Sequence, residues 1–531
     1  MMQQILQDLK NGETMLVEVP TPSNSSGNLL IQTNNSVVSV GTERMLVNFG
    51  KANYIDKARQ QPDKVKQVIN KVKTDGLMPT IEAVTSKLEQ PLPLGYCNAG
   101  KVIDSQFDGF KIGDRVVSNG HHAEVVRVPG NLCAKIPDNV SDETAAFTVI
   151  GSIALQGIRL ISPTIGETVV VSGLGLIGLI AVQILKANGC KVLGIDFDEH
   201  KCSLAREFGA ETVNLSMGED PLKVANSFSK GRGIDAVLIT AATESNEPMK
   251  QAANMLRKRG RIVLVGVVGL QLSRDDFYEK EITFQVSCSY GPGRYDNQYE
   301  LNGKDYPFGF VRWTEQRNFE AVLEMMSEGS INLSSLISHR FDFNEAVIAY
   351  EELDNEKALG IILSYNPDEV NINEQSVFIG KSENQSVSDK VICGFLGGGN
   401  YASRILIPAF KKSGSQMETL VTSQGINSSI QGKKHSFNIA STSELDIINS
   451  DVINTVVIAT QHNLHAKQVI QALKKEKNIF VEKPLAIKMD ELLEIQKNYE
   501  SIKGIKPKLM IGFNRRFSPL IVKMKSLLES Q

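Results

Sequence analysis

Thr168-Val169-Val170-Val171-Ser172-Gly173-Leu174-Gly175-Leu176-Ile177-Gly178 is the stretch that decides the fold. A β-branched run suits a buried strand, and three glycines at this spacing carry the chain round into a helix. Glycine permits the tight turn there and lets backbone N–H groups approach a pyrophosphate at the helix N-terminus. Asp196 ends the next predicted strand, Lys191–Asp196, about twenty residues on, where a carboxylate accepts hydrogen bonds from ribose hydroxyls. It would repel a 2′-phosphate, and no Arg or Lys follows until Lys201. Gly173, Gly175, Leu176, Ile177, Gly178 and Asp196 are thus the candidate cofactor residues of a first site, with NAD(H) the expected cofactor. Residues 169–185 are apolar enough to suggest a membrane span, but the fingerprint glycines and the following acid assign them to a buried strand-turn-helix.

Around this turn, strands at Thr168–Ser172, Lys191–Asp196, Ala236–Ala241 and Arg261–Gly266 alternate with helical sequence, which predicts a parallel sheet over residues 149–289. Residues 1–148 show short alternating runs broken by Gly, Pro and Asn, as in an antiparallel β-domain, with a helical insertion at about 54–88. Residues 290–365 return to mixed β and loop character and are expected to rejoin the first domain. The polar stretch 366–389 reads as a linker.

A second glycine turn, Gly397-Gly398-Gly399-Asn400-Tyr401-Ala402, follows the apolar run Ile392–Leu396 and opens another alternating unit over 390–512. Its later strands are followed by Thr460-Gln461-His462-Asn463-Leu464-His465, by Glu482-Lys483-Pro484-Leu485 and by Gly512-Phe513-Asn514-Arg515. Ligands of open α/β sheets bind at the carboxyl ends of strands, and each of these segments falls there. Gly397, Gly399, Asn400, Tyr401, Thr460, His462, His465, Glu482 and Lys483 are the cofactor candidates of this second site. The second strand ends Thr422-Ser423-Gln424-Gly425, without an acid, so NAD or NADP both remain open. The last 19 residues, 513–531, read as one amphipathic helix.

With 531 residues, 41% apolar and 22% charged, and a net charge of −3, the chain has the composition of a soluble enzyme of about three or four domains. Nothing points to nucleic acid or a membrane, and the start Met1-Met2-Gln3-Gln4-Ile5 lacks signal-peptide character. Six scattered cysteines without a CxxC pair give neither a disulfide framework nor a zinc ribbon, in keeping with a reducing cytoplasm. The segments around Ser289–Asp296, Asp305–Pro307 and Arg312–Asn318 mix turns with Tyr290, Arg294, Tyr295, Arg312 and Trp313. Aromatic faces stack on sugar or base rings and arginine forks grip carboxylates or phosphates, so these are candidate substrate residues. A structural loop with surface charge is the competing reading.

The domain order, together with Gly113-Asp114-Arg115-Val116, resembles the medium-chain dehydrogenase/reductase superfamily. That resemblance implies an α/β protein with a GroES-like β-domain plus a Rossmann domain. In the superfamily's zinc alcohol dehydrogenases, Cys-Gly-Thr-Asp and Gly-His-Glu segments supply zinc ligands. Here they read Val40-Gly41-Thr42-Glu43 and Gly95-Tyr96-Cys97, so no zinc is expected. Thr42 matches the family's hydroxyl relay, and Tyr96 can donate a proton if its pKa is lowered; these are the catalytic candidates, with Glu43 and His121 as weaker substrate contacts. For Tyr96 a packing role, and for His121-His122 a surface or structural role, stay open. The second alternating unit resembles the Gfo/Idh/MocA oxidoreductases, which act mostly on sugars and inositols. By that resemblance it is a second Rossmann domain in which Lys483, near nicotinamide and substrate, is a third catalytic candidate. Residues 513–531 are then the start of a C-terminal domain that is otherwise absent, so the module reads as C-terminally truncated.

The whole chain resembles fused two-module proteins associated with bacterial surface-polysaccharide gene clusters. An NAD(P)-dependent oxidoreductase acting on a sugar or nucleotide-sugar hydroxyl or carbonyl is therefore expected, as a cytoplasmic homo-oligomer. A non-catalytic dinucleotide-binding or scaffolding protein and a zinc-free quinone-type reductase are the alternatives.

Overall fold

The computed structural model describes residues 1–529 except 61–63, 69, 71–83, 85–87, 89, 370 and 381–389. The chain forms two compact units. One comprises Gln3–Val17 and Asn24–Glu369; the other comprises Met1–Met2, Glu18–Ser23 and Val370–Gln531. No helix among the described residues is long and apolar enough to cross a membrane.

The first unit is built on the strand Asn28–Ser39, which pairs antiparallel with Asn98–Ser105, Val125–Pro129 and Gly360–Ser364. Its inward positions Leu29, Ile31 and Val37 are fully buried, as the two-residue strand period requires. Residues 290–365 thus return two strands, Ile337–Asp342 and Gly360–Ser364, to this sheet. They also carry a 13-residue helix, Glu315–Ser327, where mixed β and loop had been expected. Phe319, Val322, Leu323 and Met326 give that helix a buried stripe at helical spacing. A second unexpected helix, Val40–Lys51, begins where the long strand ends and carries Thr42 and Glu43 in its first turns. Of the expected insertion at 54–88, Tyr54–Gln60 is helical and most of the remainder lies outside the described residues.

Six parallel strands follow in the order Glu211–Asn214, Lys191–Asp196, Thr168–Ser172, Ile234–Ile239, Leu256–Leu264, Thr283–Val286. Numbered along the chain this is 3-2-1-4-5-6, the doubly wound dinucleotide-binding order. The switch point lies beside Thr168–Ser172, at the glycine turn.

The second unit repeats that order with Ile392–Leu396 at its centre and Leu509–Gly512 at one edge. On the far edge Ser376–Phe378 pairs antiparallel with Ile439–Ser441. This corrects the linker reading of 366–389: Val377 is buried, so three residues of that polar stretch join the sheet, while 381–389 lie outside the described residues. The predicted terminal helix is shorter than 513–531, starting at Pro519 after a 3₁₀ turn at Asn514–Phe517.

The first fingerprint's glycines serve separate steric needs. Gly173 has φ +96°, and a Cβ there would lie 2.6 Å from the Ala241 nitrogen. A Cβ on Gly178 would lie 2.0 Å from the Gly173 carbonyl oxygen, whereas one on Gly175 meets nothing within 4 Å. Overpacking costs about 1–3 kcal/mol. Gly178→Ala is therefore expected to lower the calorimetric unfolding midpoint of the first unit, and Gly175→Ala to leave it nearly unchanged. Equal behaviour of the two variants would contradict this account.

Candidate functional site

The first site is assembled around the Thr168–Ser172 strand, the glycine turn and the Leu176–Ala187 helix. Leu176 is buried and Ile177 packs against the core, so their backbone rather than their side chains faces the turn. Asp196 is already engaged: its carboxylate accepts the Leu174 amide at 2.6 Å and the Phe197 and Asp198 amides at 2.8 and 3.0 Å. It therefore ties the turn to the neighbouring strand at the place where a ribose would sit.

Thr42 and Tyr96 come together, the tyrosine hydroxyl donating to Thr42 Oγ1 at 3.2 Å. Burial, with smaller contributions from Cys97 and Glu43, pushes the Tyr96 hydroxyl well above its ordinary range. The condition set for Tyr96 as a proton donor, a lowered pKa, is therefore not met. Tyr96 stays protonated and is a hydrogen-bond donor, not a base.

Glu43 is corrected as well. It is fully buried, and its carboxylate accepts from the Ser39 amide at 3.0 Å, faces His122 Nε2 at 3.3 Å and accepts the Tyr350 hydroxyl. None of it is left for a substrate. His122 Nδ1 meets Ser36 Oγ at 2.7 Å, and that hydroxyl meets Tyr365 at 2.9 Å. His121 is exposed, with Nδ1 2.8 Å from the Gly95 carbonyl oxygen. Tyr350 was not foreseen, because nothing local in its sequence marks it as the partner of a carboxylate 307 residues earlier, and Ser36 and Tyr365 join only through His122.

Val40 and Tyr96 stand where the resemblance places two zinc ligands, and among the described residues there is no group of three His, Cys, Asp or Glu side chains placed to hold a metal. Burial, and then the Glu43 carboxylate, push the Cys97 thiol up, so without a metal it stays protonated.

The substrate candidates fall into two groups. Tyr290 is buried and its hydroxyl accepts from Asn119 Nδ2 at 3.1 Å. Arg294 donates to Glu300 at 2.5 Å and covers the exposed Tyr295 ring at 4.3 Å. Trp313 carries Arg159 at 3.4 Å and Arg312 at 3.7 Å from its ring centre, so its faces are not free to stack on a sugar or base. Beside Arg294 lies an unforeseen residue, Glu315, fully buried with neither carboxyl oxygen hydrogen-bonded among the described residues. Burial, reinforced by Glu300 and opposed by Arg294, pushes its pKa from 4.5 up to about 8.

In the second unit the nominated residues converge. A cavity of about 400 Å³ is lined by Gly399, Asn400, Tyr401, Ala402, Ala459, Thr460, His462, His465, Glu482, Lys483 and Asn514. Gly397, with φ +102°, forms the turn, since a Cβ there would lie 2.4 Å from the Ala459 carbonyl oxygen. Lys483 is exposed, Glu482 has one buried oxygen without a partner, and Asn514 donates to the Tyr401 hydroxyl at 2.6 Å. His465 departs from its expected role. It is fully buried, with Nδ1 2.7 Å from the Pro484 carbonyl and Nε2 3.2 Å from the Thr460 carbonyl. It therefore braces the Lys-Pro segment against the strand end.

Two family models match this chain. The zinc-binding dehydrogenase model covers residues 177–301, and the oxidoreductase-family model with an NAD-binding Rossmann fold (Gfo/Idh/MocA) covers 391–505. The chain joins a medium-chain, zinc-type alcohol dehydrogenase-like oxidoreductase region to a Gfo/Idh/MocA Rossmann module. The first of those models begins beyond Val40 and Tyr96, so it does not bear on a metal there. D-guloside 3-dehydrogenase of Escherichia coli (strain K12) is 29% identical over 269 residues, 48% of this chain and 72% of that one. D-arabitol-phosphate dehydrogenase of Enterococcus avium is 24% identical, over 52% of this chain and 83% of that one. Human sorbitol dehydrogenase is 26% identical, over 45% and 61% respectively. Among solved structures, the alcohol dehydrogenase TADH from Thermus sp. ATN1 superimposes with a TM-score of 0.53 at 20% identity, covering 68% of this chain and all of that one, which shows the fold.

Glu315 gives a testable pH signature. A carboxyl whose pKa rises on folding lends stability that is intact below 4.5, erodes as pH rises from there, and is gone above about 8. Glu315→Gln is expected to flatten this fall, so that the variant gains thermal midpoint over the wild type as pH rises through that window. Parallel melting curves across the window would refute the assignment.

Proposed function

We propose that the first module is an NAD(H)-dependent dehydrogenase acting on a secondary hydroxyl of a sugar or polyol, or on the corresponding carbonyl. The observation that carries this reading is the Tyr96–Thr42 pair, held in the β-domain of a fold whose Rossmann half supplies the glycine turn and Asp196. A bound nicotinamide would exchange the hydride with the substrate carbon. The chain's own part is to hold the substrate oxygen. With substrate bound, the Thr42 hydroxyl would donate to the Tyr96 oxygen, and the single phenol proton, kept in place by burial, would turn from Thr42 to the substrate oxygen. In the oxidation direction the alcohol's own proton leaves to solvent as the hydride passes to the nicotinamide. Asp196 favours NAD(H) because a 2′-phosphate would meet its negative charge.

The polar donors suit a polyhydroxylated substrate, and relatives bear the names of D-guloside, arabitol-phosphate and sorbitol dehydrogenases. In this reading no zinc takes part, since Val40 and Tyr96 stand where the resemblance places two of its ligands. The domain division read from the sequence accompanies the proposal: 1–148 with 290–365 catalytic, 149–289 for NAD, 390–512 for a second dinucleotide. The second module is assigned NAD or NADP binding with Lys483 at its reacting end. We place the protein in surface-polysaccharide synthesis, on a sugar or nucleotide-sugar substrate, on the strength of its two-module resemblance.

Tyr96→Phe and Thr42→Val are each expected to lower kcat by about 10²-fold or more with NADH binding unchanged. Turnover on a sugar and polyol panel that persists in the double variant would overturn the catalytic assignment. Calorimetric titration with NADH and then with NADPH is expected to show two binding events per chain in total. Gly399→Leu, which fills the open side of the second turn, should remove one of them; a single event in the wild type with both cofactors present would remove the second site from the proposal.

A further inference from the structure

Trp313 is held between two cations. Arg159, near the end of the Thr148–Ile161 helix, and Arg312 have their guanidinium carbons 3.4 and 3.7 Å from the same ring centre. Two groups so close to one centroid cannot share a face without overlapping, so they lie on opposite faces, roughly 7 Å apart. Arg159 is fixed in place by its Nε, which donates to Asn318 Oδ1 at 2.9 Å. Asn318 is in turn fully buried and bonded to the Tyr290 carbonyl at 2.9 Å.

No ion pair among the described residues neutralises either cation. Asp305, close in sequence, is taken by Arg317. Glu320 lies within electrostatic range of Arg312 without forming a contact pair. Burial, and then the charge of Arg312, pull the Arg159 pKa down to about 10, the mark of a guanidinium lacking a compensating anion. The indole relieves part of this through its π faces, and among the described residues the terminal nitrogens of neither fork make a hydrogen bond, Arg312 being exposed to solvent.

We propose that Arg159, Trp313 and Arg312 form a binding clamp for a phosphate-bearing ligand, gripped by both guanidiniums across the edge of the indole. A carboxylate presents two oxygens on one carbon and is matched by a single fork. A phosphate or diphosphate has oxygens to offer both. Because both ring faces are covered, the ligand is held by charge and hydrogen bonds and not by ring stacking. The clamp stands on its own geometry and does not depend on Tyr96 or Thr42 being catalytic.

Trp313 is the only tryptophan of the chain, so its emission reports on this place alone. The full chain is titrated with pyrophosphate, with inorganic phosphate, and with sodium chloride at matched ionic strength. Saturable change in emission is expected with pyrophosphate and, more weakly, with phosphate, and not with chloride. Arg312→Ala and Arg159→Met are each expected to shift the half-saturation point at least tenfold, with the NADH titration and the unfolding midpoint confirming an intact fold. The clamp is refuted if wild-type emission does not respond saturably to either anion, or responds at the same concentrations in both variants. A sugar phosphate and a nucleotide as competitors then separate a small phosphorylated ligand from a nucleotide-linked one.

Discussion

A carboxylate cut off from water costs several kcal/mol unless its lone pairs find partners, and Glu43 is such a group at the centre of the first unit. Its three partners come from different parts of the chain. Ser39 precedes the Val40–Lys51 helix, His122 follows the Arg115–Ser118 strand, and Tyr350 lies on the Ala346–Glu351 helix of the return segment. Satisfying one buried charge therefore fixes three segments at once. Burial and the carboxylate itself push the Tyr350 hydroxyl well above its usual range, so it remains a donor. The His122 ring lies directly beneath Gly95, where φ is +88° and a Cβ would come within 2.5 Å of the ring. The residue after that glycine is Tyr96, and the residue before Glu43 is Thr42. The proposed catalytic pair is thus carried by the two segments that the buried charge holds together.

The parts of the fold governed by local chemistry were legible in the sequence. Thr168–Ser172, Lys191–Asp196, Ile392–Leu396 and Leu509–Gly512 lie where apolar and β-branched runs predict strands, and both glycine turns occupy the strand-to-helix junctions. The Val40–Lys51 helix was not legible, since it opens Val-Gly-Thr, which are weak helix formers, and owes its first turn to the Glu43–Ser39 contact. Nor could the sequence reveal that Glu43 is buried, because charged residues are ordinarily on the surface. The Arg312-Trp313 pair is visible as neighbours, but Arg159 lies more than a hundred residues earlier and joins them only through packing. What escapes a local reading is, in each case, a polar group paired over long sequence distance.

The two nucleotide turns share steric logic and differ in what lies beside them. In both, the first glycine has positive φ and almost touches the backbone of a neighbouring strand end, while a later one opens onto free space. At the end of the second strand they diverge. The first unit places Asp196 there, with one oxygen on the Leu174 amide inside the glycine turn. The second places Thr422, whose hydroxyl accepts the Ser428 amide, followed by Ser423, whose carbonyl accepts the Ser23 amide.

This difference bears on how cofactor choice is tied to structure. In the first unit one carboxylate both closes the turn and faces the ribose position, so a change that removes its charge also releases the Leu174 amide. On the proposed NAD(H) reading, selectivity and turn geometry are coupled there through the Asp196–Leu174 contact. In the second unit the Gly397 amide still bonds the Val421 carbonyl at the strand end, but the side chain that follows, Thr422, accepts an amide of its own following helix instead of one in the turn. On the proposed reading, cofactor preference at that site rests on residues 422–424, where no carboxylate ties the turn. Of these, Thr422 is the one bound to the glycines by packing, its methyl lying 2.9 Å from where a Gly398 Cβ would stand.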